Sequence, residues 1–162
     1  MSEAFLPPGF QPPLEVRVGH YVLRPLTEEY VEADLAAVNS SLELIRVTRG
    51  GSWPKHTIEL EEDRADLVEH RQEFERRGSF AYAILSPDGA TCAGSVYVYP
   101  PNHPFDDSDK SGIPADADAV ISFWASRAAY DEGFYPVLYD FVSKWIATEW
   151  PFHKPYIASR LP

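Results

Sequence analysis

Apolar positions along this chain follow two rhythms, one of strands and one of helices. Residues 15–26 read as strand, turn and strand, with Gly19-His20 at the turn and Pro25 ending the second strand. The spacing then becomes helical through Val31, Leu35, Val38 and Leu42. Thr27 is the predicted N-cap, Glu28 and Glu29 sit in the first turn, and the helix is expected to end near residues 39–41. Residues 43–56, with Gly50-Gly51 and Trp53-Pro54, predict a loop. Behind a second predicted cap at Thr57, Leu60, Leu67 and Phe74 share one helical face, the other faces are charged, and Gly78 is the expected stop.

Residues 79–86 and 90–99 predict a hairpin around Pro87-Asp88-Gly89, with Val96 and Val98 on one face and Tyr97 and Tyr99 on the other. A polar connection follows over residues 100–118. A buried strand is predicted at 119–124, a loop at 127–135 and a helix at 136–150. Pro136 suits the first turn of that helix, Phe134, Leu138, Phe141, Val142 and Trp145 form its core side, and Pro151 stops it. Tyr156-Ile157-Ala158 reads as one last short strand. Pro7, Pro8, Pro12 and Pro13 make residues 1–14 an extended tail before a single domain over 15–162. The order β β α α β β β α β, with helices interrupting an otherwise antiparallel set of strands, predicts an α+β fold.

Composition narrows the function. The chain has 162 residues, 44% hydrophobic and 14% aromatic, enough for one full core and too apolar for disorder. No apolar run approaches membrane-spanning length, and the start lacks the basic and apolar parts of a signal peptide. One cysteine, Cys92, leaves no intramolecular disulfide, so the expected compartment is the cytoplasm. A formal charge of -11 argues against nucleic acid; it serves solubility first, and is compatible with a cationic substrate such as an amine or a basic peptide.

The element order, together with several words of sequence, resembles the GNAT (GCN5-related) N-acetyltransferase superfamily. The words are Leu23-Arg24-Pro25-Leu26-Thr27-Glu28-Glu29, Phe80-Ala81-Tyr82-Ala83-Ile84-Leu85 before Pro87-Asp88-Gly89, Ala93-Gly94-Ser95-Val96-Tyr97, and Ile121-Ser122-Phe123-Trp124. The likeness covers residues 15–150, and its Leu-Arg-Pro-Leu opening is most similar to the branch of ribosomal-protein N-terminal acetyltransferases. It implies a twisted mixed sheet that splays between its fourth and fifth strands, with acetyl-CoA in the split. It also implies that backbone groups of the fourth strand hold the acetyl and pantetheine parts, with the backbone near Phe123, Trp124 and Ala125 as the candidate cofactor and oxyanion contacts. The loop before the next helix would hold the pyrophosphate through backbone N–H groups, where a helix N-terminus favours an anion.

The family's Gln/Arg-x-x-Gly-x-Gly/Ala loop pattern falls on Tyr130-Asp131-Glu132-Gly133-Phe134-Tyr135, and only Gly133 matches. This is a degenerate cofactor loop. Either carboxylate, Asp131 or Glu132, turned inward at roughly 5 Å would oppose a phosphate by about 3 kcal/mol, more than the helix end supplies. Arg127 is placed either to pair at the surface with Asp131 or Glu132 or to offset part of this by reaching a phosphate. Residues 151–162 leave a shortened C-terminal part compared with the family, and an unpaired last strand would suit a homodimer contact.

Acetyl transfer to an amine needs a proton acceptor, and the leaving thiolate needs a proton. By position, Tyr139 is the candidate near a cofactor sulphur, and Glu61, Asp63, His56 and His103 are the candidate bases. Cys92 has nothing nearby to activate it and reads as a core residue. The five histidines lack metal-ligand spacing, and Asp106-Asp107-Ser108-Asp109 lacks the glycine and terminal glutamate of a calcium loop, so no metal is expected. Two readings follow. One is an N-acetyltransferase acting by direct attack of an amine on acetyl-CoA. The other is a non-catalytic GNAT-fold protein that binds another ligand in an aromatic cleft, lined from Trp53, Tyr97, Tyr99, Phe123, Trp124 and Tyr130, or assembles subunits.

Overall fold

The computed structural model describes residues 4–104, 106 and 108–161. Strands β1 (Val16–Val18), β2 (Tyr21–Pro25), β3 (Phe80–Leu85), β4 (Cys92–Tyr99), β5 (Ala119–Ala125) and β6 (Pro155–Ile157) form one sheet in sequence order. The first five pair antiparallel, and β6 pairs parallel to β5. A parallel partner needs a crossover, supplied by α4 (Arg127–Asp131) and α5 (Phe134–Glu149). On the other face lie α1 (Val31–Asn39), α2 (Leu42–Arg49) and α3 (Leu60–Glu75). The fold is α+β, as the element order predicts.

The central strands are buried on both faces, and their side chains divide by the pleat. Phe80, Tyr82, Ile84, Val96, Val98, Ile121 and Phe123 meet Phe134, Leu138, Val142 and Trp145 of α5. Ala81, Ala83, Leu85, Tyr97, Tyr99 and Trp124 meet Val31, Val38, Ile45 and Leu67 of α1–α3. The opposed sets predicted for β4 are those seen. Gly94, at φ 144°, lets β4 and β5 approach closely, because a Cβ there would lie 2.0 Å from the Trp124 carbonyl oxygen.

Several local expectations are corrected. The predicted loop at 43–56 begins with helix α2, whose Leu44 and Ile45 are buried. Leu42 opens that helix and does not close α1. Thr27 precedes a short 3-10 turn and spends its hydroxyl on Glu29, and α3 starts at Leu60 behind an uncapped Glu59, so neither threonine caps a helix. The left-handed residue after α3 is Arg77, at φ 61°, not Gly78. α5 begins at Phe134, two residues before Pro136. The described part of the proline-rich segment is irregular but packed: Leu6 is buried, Phe5 stacks on Phe152, Phe10 lies against Trp150, and Tyr82 donates to the Pro13 carbonyl at 2.8 Å.

Candidate functional site

Beyond Ile121 the β5–β6 ladder gives way to a different contact. The Ala158 N–H still donates to the Ile121 carbonyl at 2.8 Å. At the next step the partner is a side chain: the Phe123 N–H donates to Ser159 Oγ at 2.7 Å, and that hydroxyl donates to the Phe123 carbonyl at 2.9 Å. A hydroxyl in place of a second backbone marks strands that have begun to diverge. Tyr135, buried on α5, donates its hydroxyl to the Arg160 carbonyl, and the Arg160 N–H donates to the Thr48 carbonyl at 2.7 Å. Burial raises the Tyr135 phenol above its usual range, so it stays a donor at neutral pH. The split at the end of β5 is therefore filled by residues 158–160.

The loop after β5 is a short helix. Ser126 caps it by accepting from the Ala129 N–H at 3.2 Å. The Arg127 N–H donates to Ser41 Oγ, and the N–H groups of Tyr130, Glu132 and Gly133 donate to carbonyls of the preceding turn. Arg127 pairs with Asp131 at 3.5 Å across one turn and lies beside the Tyr130 ring. Glu132 accepts from the Tyr21 hydroxyl at 3.4 Å. Gly133 is left-handed, at φ 87°, with open space where a Cβ would stand. These residues, as they stand, do not fit acetyl-CoA: the Phe123 backbone groups serve Ser159, loop N–H groups serve the chain itself, and the side chains facing solvent here include two carboxylates.

On the opposite face of the sheet, a small cavity of about 50 Å³, open to solvent on one side, lies over Tyr97 and Tyr99. Arg49, at the end of α2, is 2% exposed and forms one wall. Its Nε donates to Ser122 Oγ at 3.0 Å, its guanidinium stacks over the Tyr97 ring at 4.5 Å, and Asp106 lies 3.8 Å away. Asp66, Glu69 and Glu73 of α3 bring carboxylates to the lining, and Trp53 adds an aromatic face. His70 also lines it, 3.7 Å from Asp66. Burial, with the nearby Arg49 charge, lowers its pKa to about 4, so its ring is neutral at physiological pH. His103 stacks on Tyr99 at 4.8 Å, and its Nε2 lies 3.8 Å from Glu73.

A second acidic group sits beside this cavity. Asp63 lines an adjoining hollow that shares Trp53, Asp66 and Glu69 with it. Asp63 and Asp34 are both buried between α3 and α1. Burial raises both carboxyls, and each is a neighbour of the other.

The sequence candidates separate accordingly. Phe123, Trp124 and Ala125 lie at the split, Trp124 donating to the Tyr97 hydroxyl at 3.0 Å. Gly133, Phe134 and Tyr135 open α5, with Phe134 edge-on to Tyr21. Tyr139 packs edge-on against Phe123 at 5.5 Å in the α5 core. Glu61 is exposed and paired with Arg64, and His56 is exposed beside the Thr57 carbonyl; neither lines the cavity, whereas His103 does. Cys92 is buried with its thiol pushed up, mainly by burial. Among the described residues no group of side chains suits a metal; Asp107 lies outside them. The sequence reading missed Arg49, His70 and Ser159. Arg49 had a signal, a cation between the buried Thr48 and a Gly-Gly break. Ser159 had none, since its partner is 36 residues away.

No family model and no curated protein matches the chain. Solved structures do, and they place it in the GNAT acetyltransferase fold, which includes a GNAT-family acetyltransferase from Bacillus anthracis at a TM-score of 0.54 and 9% identity, over 83% of this chain and 67% of that one. More particularly, it is similar to the ribosomal-protein-S5-alanine acetyltransferase from Vibrio fischeri, with a TM-score of 0.59 and 9% identity over 83% of this chain and 67% of that one. It is also similar to the ribosomal L7/L12 α-N-protein acetyltransferase RimL in complex with coenzyme A, with a TM-score of 0.56 and 18% identity over 81% and 67% of the two chains. No helix among the described residues is long and apolar enough to cross a membrane.

Proposed function

We propose that this protein is a GNAT-fold N-acetyltransferase whose acceptor is a cationic amine. The observation that carries the reading is the fold: five antiparallel strands, a short helix and a long crossover helix, and a parallel sixth strand that diverges at Phe123, matching solved acetyltransferases over four fifths of the chain. Acetyl-CoA is the donor this fold implies, and the matched ribosomal-protein enzymes suggest a peptide amine as the acceptor. The cavity over Tyr97 supports a cationic ligand. Asp66, Glu69 and Glu73 outnumber Arg49, which Asp106 balances, and the aromatic rings offer faces to an ammonium group. His70, neutral at working pH, adds no opposing charge.

The test combines thermal unfolding with acetyl-CoA, adenine nucleotide as control, and a thiol-release assay across basic peptides, free amino acids and polyamines. Binding at 100 times the dissociation constant adds about 2.7 kcal/mol, which raises the melting temperature by several degrees. Thiol release that needs both acetyl-CoA and an amine, with Glu69→Gln raising KM for the amine, is the expected result. Neither shift nor release would sink the reading in favour of a non-catalytic binding protein.

A further inference from the structure

We propose that the cavity over Tyr97 takes a small ammonium ligand that carries a neutral oxygen three bonds from its nitrogen, with that oxygen seated on Arg49; the inference rests on the cationic-acceptor reading. A guanidinium offers five N–H donors in a fixed plane. That of Arg49 is buried and held in place: its Nε donates to Ser122 Oγ at 3.0 Å, the Tyr97 ring lies 4.5 Å from it, and the Trp53 ring lies 5.9 Å away. Asp106 stands 3.8 Å off, beyond hydrogen-bond reach, and its Oδ1 accepts instead from the N–H and hydroxyl of Ser108. Among the described residues neither terminal nitrogen of Arg49 donates a hydrogen bond. Buried donors are nearly always matched. These belong to a side chain that lines the cavity, so their match is an acceptor that enters it.

The acceptor is a neutral oxygen because the walls are already acidic. Asp106 lies beside the guanidinium, and Asp66, Glu69 and Glu73 line the same space, so an entering carboxylate meets like charge. The ammonium falls to Glu69. Glu73 is engaged by Arg76 at 3.1 Å, whereas Glu69 makes no ion pair among the described residues. Size sets the rest. One water needs about 10–15 Å³ on the measure that gives this cavity about 50 Å³, so it receives roughly three to five non-hydrogen atoms. An ammonium, two carbons and one oxygen fill it. A 1,2-amino alcohol and the first residue of a peptide N-terminus both carry that group.

The experiment titrates the whole protein with ethanolamine, propylamine, glycinamide and glycine, read by NMR at the Arg49 Nε–H signal. Ethanolamine and propylamine differ by a hydroxyl in place of a methyl. Ethanolamine is expected to bind about tenfold tighter, since it accepts from a charged donor, whereas propylamine displaces solvent from Arg49 and returns no hydrogen bond. Glycinamide is expected to bind about tenfold tighter than glycine, whose carboxylate faces the acidic walls. The stronger of ethanolamine and glycinamide names the source, amino alcohol or peptide N-terminus, and either supports the proposal. Glu69→Gln should weaken ethanolamine and propylamine by the same factor. Arg49→Lys, which keeps a cation beside Asp106, should remove the difference between them. Equal affinity for ethanolamine and propylamine in the unsubstituted protein, or glycine bound tighter than glycinamide, overturns the proposal, while binding of propylamine keeps the cationic-acceptor reading. Absence of binding by all four probes overturns both.

Discussion

Replacing Asp63 with asparagine should stabilise this protein at neutral pH and not at acid pH. Asp63 is 1% exposed, and Asp34 shares its buried surroundings. Burial, then the negative neighbours Asp66 and Glu62, raise its pKa from 3.8 to about 6, while hydrogen bonding with Asp34 works the other way. Because the folded pKa lies above the unfolded one, the folded state holds the proton more tightly. The stability this gives is fully present below the unfolded value near 3.8 and is lost as pH rises through about 6. Each pKa unit corresponds to about 1.4 kcal/mol, so the full shift sets a ceiling near 3 kcal/mol. Coupling to Asp34 and contact with the adjoining hollow reduce this to about 1–2 kcal/mol. Asparagine keeps the size, donates to the Asp34 carboxylate and carries no charge. Urea unfolding of both proteins at pH 4 and pH 7.5 gives the comparison. The variant should gain about 1–2 kcal/mol over the parent on going from the lower to the higher pH. A variant whose deficit is the same at both pH values would refute the assignment of Asp63 as a strained buried acid.

The other predictions concern packing and charge. Gly94→Ala should cost more than about 3 kcal/mol and yield little folded protein by circular dichroism, because its Cβ would collide with the Trp124 carbonyl and φ 144° is strained for any side chain. Arg49→Met should cost about 3–5 kcal/mol in chemical unfolding by leaving Asp106 buried without its cation, and adding Asp106→Asn should recover part of that loss. The His70 ring should show no titration above pH 5 when followed by NMR, since burial and Arg49 hold its pKa near 4.

Much of the fold was legible because its strands obey simple rules. The β3–β4 hairpin is fixed by Pro87-Asp88-Gly89 and by alternation of Val96 and Val98 with Tyr97 and Tyr99, and both the turn and the faces appear as read. Helix α2 was hidden because Gly50-Gly51 and Trp53-Pro54 draw the eye to a loop, while the buried side of this eight-residue helix mixes Leu44 and Ile45 with the polar Thr48 and Arg49. The loop at 127–135 was read for its poor anion chemistry, and Arg127 does pair with Asp131 there. That the loop folds into α4 depends on Ser126 and Ser41 acting as caps from either side, one of them 86 residues distant. The site was the least legible part. Arg49, His70 and Ser159 draw their character from burial and from partners far along the chain, which a local pattern does not carry.

The rings at one end of the sheet have a consequence for synthesis. Phe5 stacks between Phe80 and Phe152, and Phe10 rests on Trp150, so the first described segment is held in part by residues made much later than itself. Until residue 152 has emerged, Phe5 and Phe10 have no complete seat. A chain made at about 5–20 residues per second therefore carries two unsheltered aromatic side chains for several seconds, until residue 152 is out. Closing that seat joins distant parts of the chain, and the interval before it leaves the nascent protein open to association with its neighbours.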